Sequence, residues 1–242
     1  MPNIRLAVRY FVFLAGLFFM GLGASLVTKS NLGTPPISSV PYVLSMMFPF
    51  TFGQFTFILS LFFVLVQVVI LRKSFPKRQY VQVLVGLFFG FFIDFGMFLF
   101  ALVNPRIYVW KIFFLVLGST LVALGTYLQV APNVILNPGE GAVKIIAEKT
   151  GARFGTIKVI FDSTLLISAA IISLFAFGTI KGLREGTILS ALLVGCIVNG
   201  FSYMFRRFRL THNWLEYLSG SAELVDKSAL PGAEEMSAGA AD

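Results

Sequence analysis

Few side chains in this sequence could do chemistry, and most of those lie in apolar surroundings. Asp94 falls within the apolar block 80–103, and Lys158 and Asp162 stand one helical turn apart in the block 154–178. A charge at bilayer depth is costly and as a rule faces a bundle interior or a watery cavity. Asp94 could serve as a proton or cation relay, or hydrogen-bond to the opposing half-helix; Lys144 or Lys158 could instead be its partner. Lys158 and Asp162 share a helix face, so they read as a coupling pair or as a structural ion pair. Glu140, in Pro-Gly-Glu-Gly, could hold a cation or a substrate amine, or complement a helix dipole.

Two polar turns complete the set. Thr34-Pro-Pro-Ile-Ser38-Ser39 and Asn137-Pro-Gly-Glu140-Gly each place a capping residue ahead of proline, the signature of a helix start. A helix N-terminus offers unpaired N–H groups that can hold an anion or a carbonyl. The predicted substrate-binding residues are Thr34, Ser38, Ser39, Asp94, Asn137, Glu140 and Asn199. Gln54, Gln67 and Gln129 read as helix–helix hydrogen bonds, and the glycines at 16, 21, 86, 90, 118 and 195 as points of close helix approach.

Other chemistries lack their residues. The single Cys196 and the single His212 give no intramolecular disulfide and no transition-metal site. No phosphate-binding loop, zinc-protease motif or nucleophile elbow is present. The expectation is a protein without catalytic residues, metal or cofactor, and not an enzyme.

The elements that must position these groups are membrane helices. The chain is 57% hydrophobic and 12% charged with 28 Phe, and its mean hydropathy is +0.87. A soluble domain carries roughly 25% charged residues. A spanning helix needs about 20 apolar residues. Six blocks qualify: 7–28, 52–71, 80–103, 108–131, 154–178 and 186–205. The first could pass for a signal peptide, but its counterpart recurs mid-chain, so it reads as a retained helix. Segments 35–49 and 138–150 are too short to cross and read as re-entrant or interfacial half-helices. The net charge of +8 sits at block ends, as expected of loops facing anionic lipid headgroups, not nucleic acid.

The chain also matches itself at a shift of a little over one hundred residues. Gly21-Leu-Gly23-Ala-Ser-Leu26 meets Ala123-Leu-Gly125-Thr-Tyr-Leu128, and Leu32-Gly-Thr-Pro35 meets Ile135-Leu-Asn-Pro138. Gly53-Gln-Phe-Thr56 meets Gly155-Thr-Ile-Lys158, and Gly90-x-x-x-Asp94 meets Gly195-x-x-x-Asn199. The expected organisation is a three-span repeat over 1–105 with half-helix 35–49, a second over 106–209 with half-helix 138–150, and a cytoplasmic, largely disordered tail over 210–242. Three crossings per half would invert the second repeat.

Charge favours that reading. With a cytoplasmic N-terminus and non-crossing half-helices, Arg5, Arg9, Arg72, Lys73, Lys77, Arg78, Lys144, Lys149, Arg153, Arg206, Arg207 and Arg209 lie on the cytoplasmic side. Lys29, Arg106, Lys111, Lys181 and Arg184 lie outside. Basic residues concentrate in cytoplasmic loops, so both termini are expected in the cytoplasm.

The first-span motif, the Leu-Gly-Thr-Pro-Pro turn, Asn137-Pro-Gly-Glu-Gly141 and the Gly-x-x-x-Asp/Asn pair together resemble the YczE/YyaS/YitT-like family of bacterial integral membrane proteins, over about residues 8–208. The resemblance implies a multi-pass protein of the bacterial inner membrane, in a family of unsettled function, and supplies no catalytic residues. Inverted repeats with short helices are common in secondary transporters. The functional expectation is a transporter or exporter of a small polar or amphipathic metabolite, with proton coupling resting on Asp94 and Asp162. A channel for an ion or small solute and a non-transporting scaffold are the alternatives. Expected partners are the small-molecule substrate, membrane lipids and a second copy of the chain, with no nucleic acid.

Overall fold

The computed structural model describes residues 2–207 apart from 73, 74, 131 and 133, with the side chains of 2–6, 77, 78, 199 and 202–207 left out. The tail expected over 210–242 lies outside the described residues. The elements are α1 (Pro2–Lys29), α2 (Ser39–Ser45), α3 (Phe52–Leu71), α4 (Gln82–Leu99), α5 (Tyr108–Val130), α6 (Pro138–Thr150), α7 (Phe154–Phe177) and α8 (Glu185–Arg207).

Five stretches are long and apolar enough to cross a bilayer: Ala7–Lys29, Phe52–Leu71, Gln79–Leu99, Tyr108–Val130 and Phe154–Phe177. Helix α8 contributes a shorter apolar stretch, Glu185–Val198. The chain is a polytopic all-α membrane protein. Side chains such as Phe62, Phe91, Phe98, Phe175 and Leu192 are exposed, which bilayer tolerates and water does not.

The first half-helix is shorter than its apolar block. A 3-10 turn, Pro36–Ser38, leads into α2, which stops at Ser45. Pro41 is the third residue of α2, where the missing N–H costs nothing because first-turn N–H groups have no intrahelical acceptor. Pro49 disfavours helical geometry in the residue before it. Helix α6 spans Pro138–Thr150 and ends on Gly151, in the left-handed conformation at φ 68°. Glycine adopts that conformation without steric penalty.

Helix α1 lies at the centre. Its Phe13, Leu17, Met20 and Ala24 pack with Val85, Phe89 and Ile93 of α4 and Val122 of α5. Against α5 the two backbones nearly touch. A methyl group on Gly16 would lie 2.8 Å from the Gly125 carbonyl oxygen, and one on Gly23 would lie 2.6 Å from that of Gly118. The earlier glycine of α1 faces the later one of α5, so the helices run antiparallel. Small residues permit such contact, and close packing drives association where lipid removes the hydrophobic incentive.

The remaining contacts repeat by position. Helix α1 packs on α4, and α5 on α8. Each half-helix rests on the third helix of its own half and on that of the other, α2 on α3 and α7, and α6 on α7 and α3. One pairing has no equivalent. Helices α3 and α4 pack along each other, whereas α7 and α8 make no comparable contact.

Candidate functional site

The two half-helix starts meet. Gly139 faces Ile37 so closely that a methyl group there would run into Ile37 Cδ1, with the Phe63 ring 3.6 Å from the same point. Phe63 of α3 packs against Phe161 of α7, with ring centroids 5.1 Å apart and planes tilted by 53°. Ser39 Oγ donates to the Pro36 carbonyl at 2.6 Å and reaches that of Leu165 at 3.5 Å. Phe63 and Leu165 sit near the middles of α3 and α7, so both half-helices begin near mid-span. Helix α2 then runs back towards the start of α3, where Tyr42 packs its ring on Phe52 at 5.4 Å. Helix α6 leads through Gly151 to the start of α7.

The polar residues at these starts do not cap them, which corrects the expectation from the two turns. Pro35, not Thr34, precedes the first helical turn, and neither Ser38 nor Asn137 makes a side-chain cap. The Thr34 and Ser38 hydroxyls are instead buried with no hydrogen-bond partner among the described residues. A buried hydroxyl left unpaired costs about 1–3 kcal/mol, so a ligand that engaged these two would recover it. Asn137, just before α6, is buried, and Ser39 is fully buried.

Helix α8 fixes the first start. The Gly186 N–H donates to the Leu32 carbonyl at 2.9 Å, and the Thr34 N–H donates to Thr187 Oγ1 at 3.2 Å. Gly33 between them has φ +133°, and any Cβ there would strike Thr187 Oγ1. Only glycine serves at that point. At the second start, Gln67 Nε2 donates to the Pro138 carbonyl at 3.0 Å and to Gln82 Oε1 at 2.8 Å, while Gln67 Oε1 is left without a partner. The helix-linking role read for Gln67 is thus met by α6 and α4.

At the half-helix starts, the charged side chains among the described residues belong to α6 and α7. Lys158 Nζ and Asp162 Oδ1 form an ion pair at 3.1 Å, partly exposed at 30% and 23%. Glu140 is half-buried, has no hydrogen bond or ion pair to any described residue, and lies within the electrostatic reach of both. The three form one cluster at the α6 start, carrying one negative charge when all are ionised.

Asp94 belongs elsewhere. Its Oδ1 accepts from the Gly53 N–H at 2.7 Å and its Oδ2 from the Thr51 hydroxyl at 2.5 Å. It caps the start of α3 together with the Thr51–Gln54 capping box, beside Ser45 at the far end of α2. The lysines offered as its partners are otherwise engaged, Lys144 with Glu148 and Lys158 with Asp162. The Gln54 side chain bonds the Thr51 N–H and not another helix. The sequence carries that signal, Thr-x-x-Gln ahead of an apolar run. Thr187 and Gln82 have no comparable sequence signal, because their partners lie 153 and 15 residues away. Asn199 lies on α8, with its side chain outside the described set.

Comparison with known proteins gives relatives without assigned activity. Residues 7–203 match the model of a family of unknown function, DUF6198. The chain is 29% identical over 197 residues to the uncharacterized membrane protein YczE of Bacillus subtilis (strain 168), covering 80% of this chain and 85% of that one. It is 24% identical over 211 residues to the uncharacterized protein YyaS of the same organism, covering 85% of this chain and 98% of that one. No solved structure matches it.

Proposed function

The chain belongs to the DUF6198 family, and we propose that it is a secondary transporter or exporter of a small polar or amphipathic metabolite, bound where the two half-helices start. One observation carries this reading: Ile37 and Gly139 bring two uncapped helix starts together, with the buried Thr34 and Ser38 hydroxyls unpaired beside them. Helix starts turned inward at mid-span, with polar groups lacking protein partners, are what a midplane substrate site requires. Ser39, Asn137 and Glu140 complete it. The Glu140–Lys158–Asp162 cluster is the place for a coupling proton or a substrate amine, and Asp94 acts as a helix cap.

The α1–α5 interface supports inverted repeats. The register that matches Gly23 to Gly125 also carries Gly16 onto Gly118. Gly16 faces Gly125 and Gly23 faces Gly118, so each glycine faces the counterpart of the other. That reciprocity is the mark of a two-fold interface, and antiparallel helices place the axis in the membrane plane. With the basic loops on one side, the cytoplasm holds both termini and the start of α7, and the membrane is the bacterial inner membrane.

Metabolites that accumulate or deplete in cells lacking the chain would be tested for flux in proteoliposomes. Saturable flux lost in Ser38→Ala and Glu140→Gln, with folding intact, is the expected result. Unchanged flux in both variants would remove the site.

A further inference from the structure

The two halves differ at one pair of helices. In the first half, Gly53 and Gly90 press together so that a methyl group on either would run into the other's carbonyl oxygen. The Asp94 carboxylate then bonds the Gly53 N–H across the same junction. Among the described residues, the counterparts Gly155 and Gly195 have nothing within 4 Å of a Cβ built on either. Ser60 meets Gly86 of α4 and is buried at 6% exposure, whereas its counterpart Asp162 is 23% exposed. The same sequence motif is closed once and open once.

Resting on the inverted-repeat reading above, we infer that the gap between α7 and α8 is the cytoplasmic entrance to the half-helix site, and that it closes by bringing Gly155 against Gly195 as Gly53 rests against Gly90. Inverted repeats place the α3–α4 junction at the outer end of the site and the α7–α8 junction at the cytoplasmic end. The structure is then closed outside and open inside. The opposite state arises when the halves exchange these two arrangements, since each half has the glycines for both. The entrance leads to Glu140, Lys158 and Asp162, so a solute entering from the cytoplasm meets the charged cluster before the hydroxyls of Thr34 and Ser38.

Cross-linking tests this without a known substrate. An Arg153→Cys/Asn199→Cys chain, altered at the counterparts of Thr51 and Asp94, whose side chains meet at 2.5 Å across the closed junction, is made in a Cys196→Ser background with Thr56→Cys as reporter, and oxidised in vesicles of both orientations. Disulfide formation needs Cβ atoms about 3.5–4.5 Å apart, so a bond records closure. Thr56 is 5% exposed on α3. A state populated at 0.1–10% becomes the whole population when trapped, so labelling of Thr56→Cys by a membrane-impermeant maleimide, from the side where α3 starts, should rise at least about tenfold. Reduction should reverse it. Failure of the two cysteines to join, or joining with no rise at Thr56→Cys, overturns the inference. If the combined variant does not fold, single variants carry the test. Gly155→Cys should label from the side where α7 starts and Thr56→Cys from neither, and the reverse pattern overturns the inference. Labelling follows helix movement whether or not a solute is carried, so its failure is separate from failure of the flux test.

Discussion

Asp94 separates a cap from a relay, and the difference can be measured. Its carboxylate accepts from the Gly53 N–H at 2.7 Å and the Thr51 hydroxyl at 2.5 Å. Hydrogen bonds to a charged group contribute about 1.5–3 kcal/mol each, and a negative charge at a helix start adds about 0.3–1 kcal/mol. Asp94→Ala loses all of these. It also relieves the cost of inserting a charge, at most about 2.5–3.5 kcal/mol at the helix centre and less here, five residues before α4 ends at Leu99. With roughly half of that relief this close to the helix end, about 1.5 kcal/mol, the net loss is about 2–5 kcal/mol. Asp94→Asn keeps an acceptor for Gly53 N–H, its amide can donate to Thr51 Oγ1, and it sheds the insertion cost. Its net loss is about 1 kcal/mol or less, from trading charged for neutral hydrogen bonds. Stability against denaturant in detergent, alongside flux in proteoliposomes, reads both. Equal destabilisation by the two variants would defeat the cap, and so would a stable Asp94→Asn protein with no flux.

Further outcomes follow from the same contacts. Gly23→Val should destabilise by about 1–3 kcal/mol, because its Cβ would sit 2.6 Å from the Gly118 carbonyl oxygen. Gly195→Ala, in open space, should not, and monodispersity by size-exclusion separates the two. Ser38→Ala and Thr34→Val remove hydroxyls that have no protein partner. Stability should hold or rise slightly while substrate affinity falls about tenfold for each charged or well-formed bond lost. Equal loss of stability and affinity would show the hydroxyls to be structural. Lys158→Met should be the most damaging change at the charged cluster, since it leaves Asp162 unpaired, and Lys158→Met/Asp162→Leu should recover most of the loss, as thermal stability would show. Topology tags should place the 72–78 loop on the same side as the N-terminus.

The spans were legible because they are written in composition. Apolar blocks ended by Gly, Pro and basic residues located α3 at Phe52–Leu71 and α6 at Pro138–Thr150 to the residue. The 35–49 block misled, because hydropathy counts Met46, Met47 and Phe48 as readily as Val40, while the helix stops at Ser45, four residues short of Pro49. The proposed repeat rests on glycines that recur where backbones touch, Gly16 and Gly23 of α1 against Gly125 and Gly118 of α5. Long-range polar partners were not legible. Nothing near Asp94 in sequence names Gly53 or Thr51, 41 and 43 residues away, and a lone carboxylate in an apolar run reads the same whether it caps a neighbour or carries a proton. The Thr34 and Asn137 turns were recognised as helix starts, but whether a hydroxyl caps its own helix or points elsewhere depends on backbone angles that residue type alone leaves open.

On the repeat reading proposed above, the two halves carry different charge at matching positions. Ile37, Thr56 and Ser60 of the first half correspond to Glu140, Lys158 and Asp162 of the second. In the first half, small neutral side chains allow α4 to close on α3, with Ser60 against Gly86. In the second, closing α8 onto α7 would take Lys158 and Asp162 further from water, a step that costs several kcal/mol per ion unless they stay paired and bonded. The 3.1 Å ion pair lowers that cost, and a proton on Glu140 or a cationic substrate beside it would lower it again by cancelling the remaining negative charge. Closure of the second half should therefore be favoured by loading and disfavoured when the cluster is empty and charged.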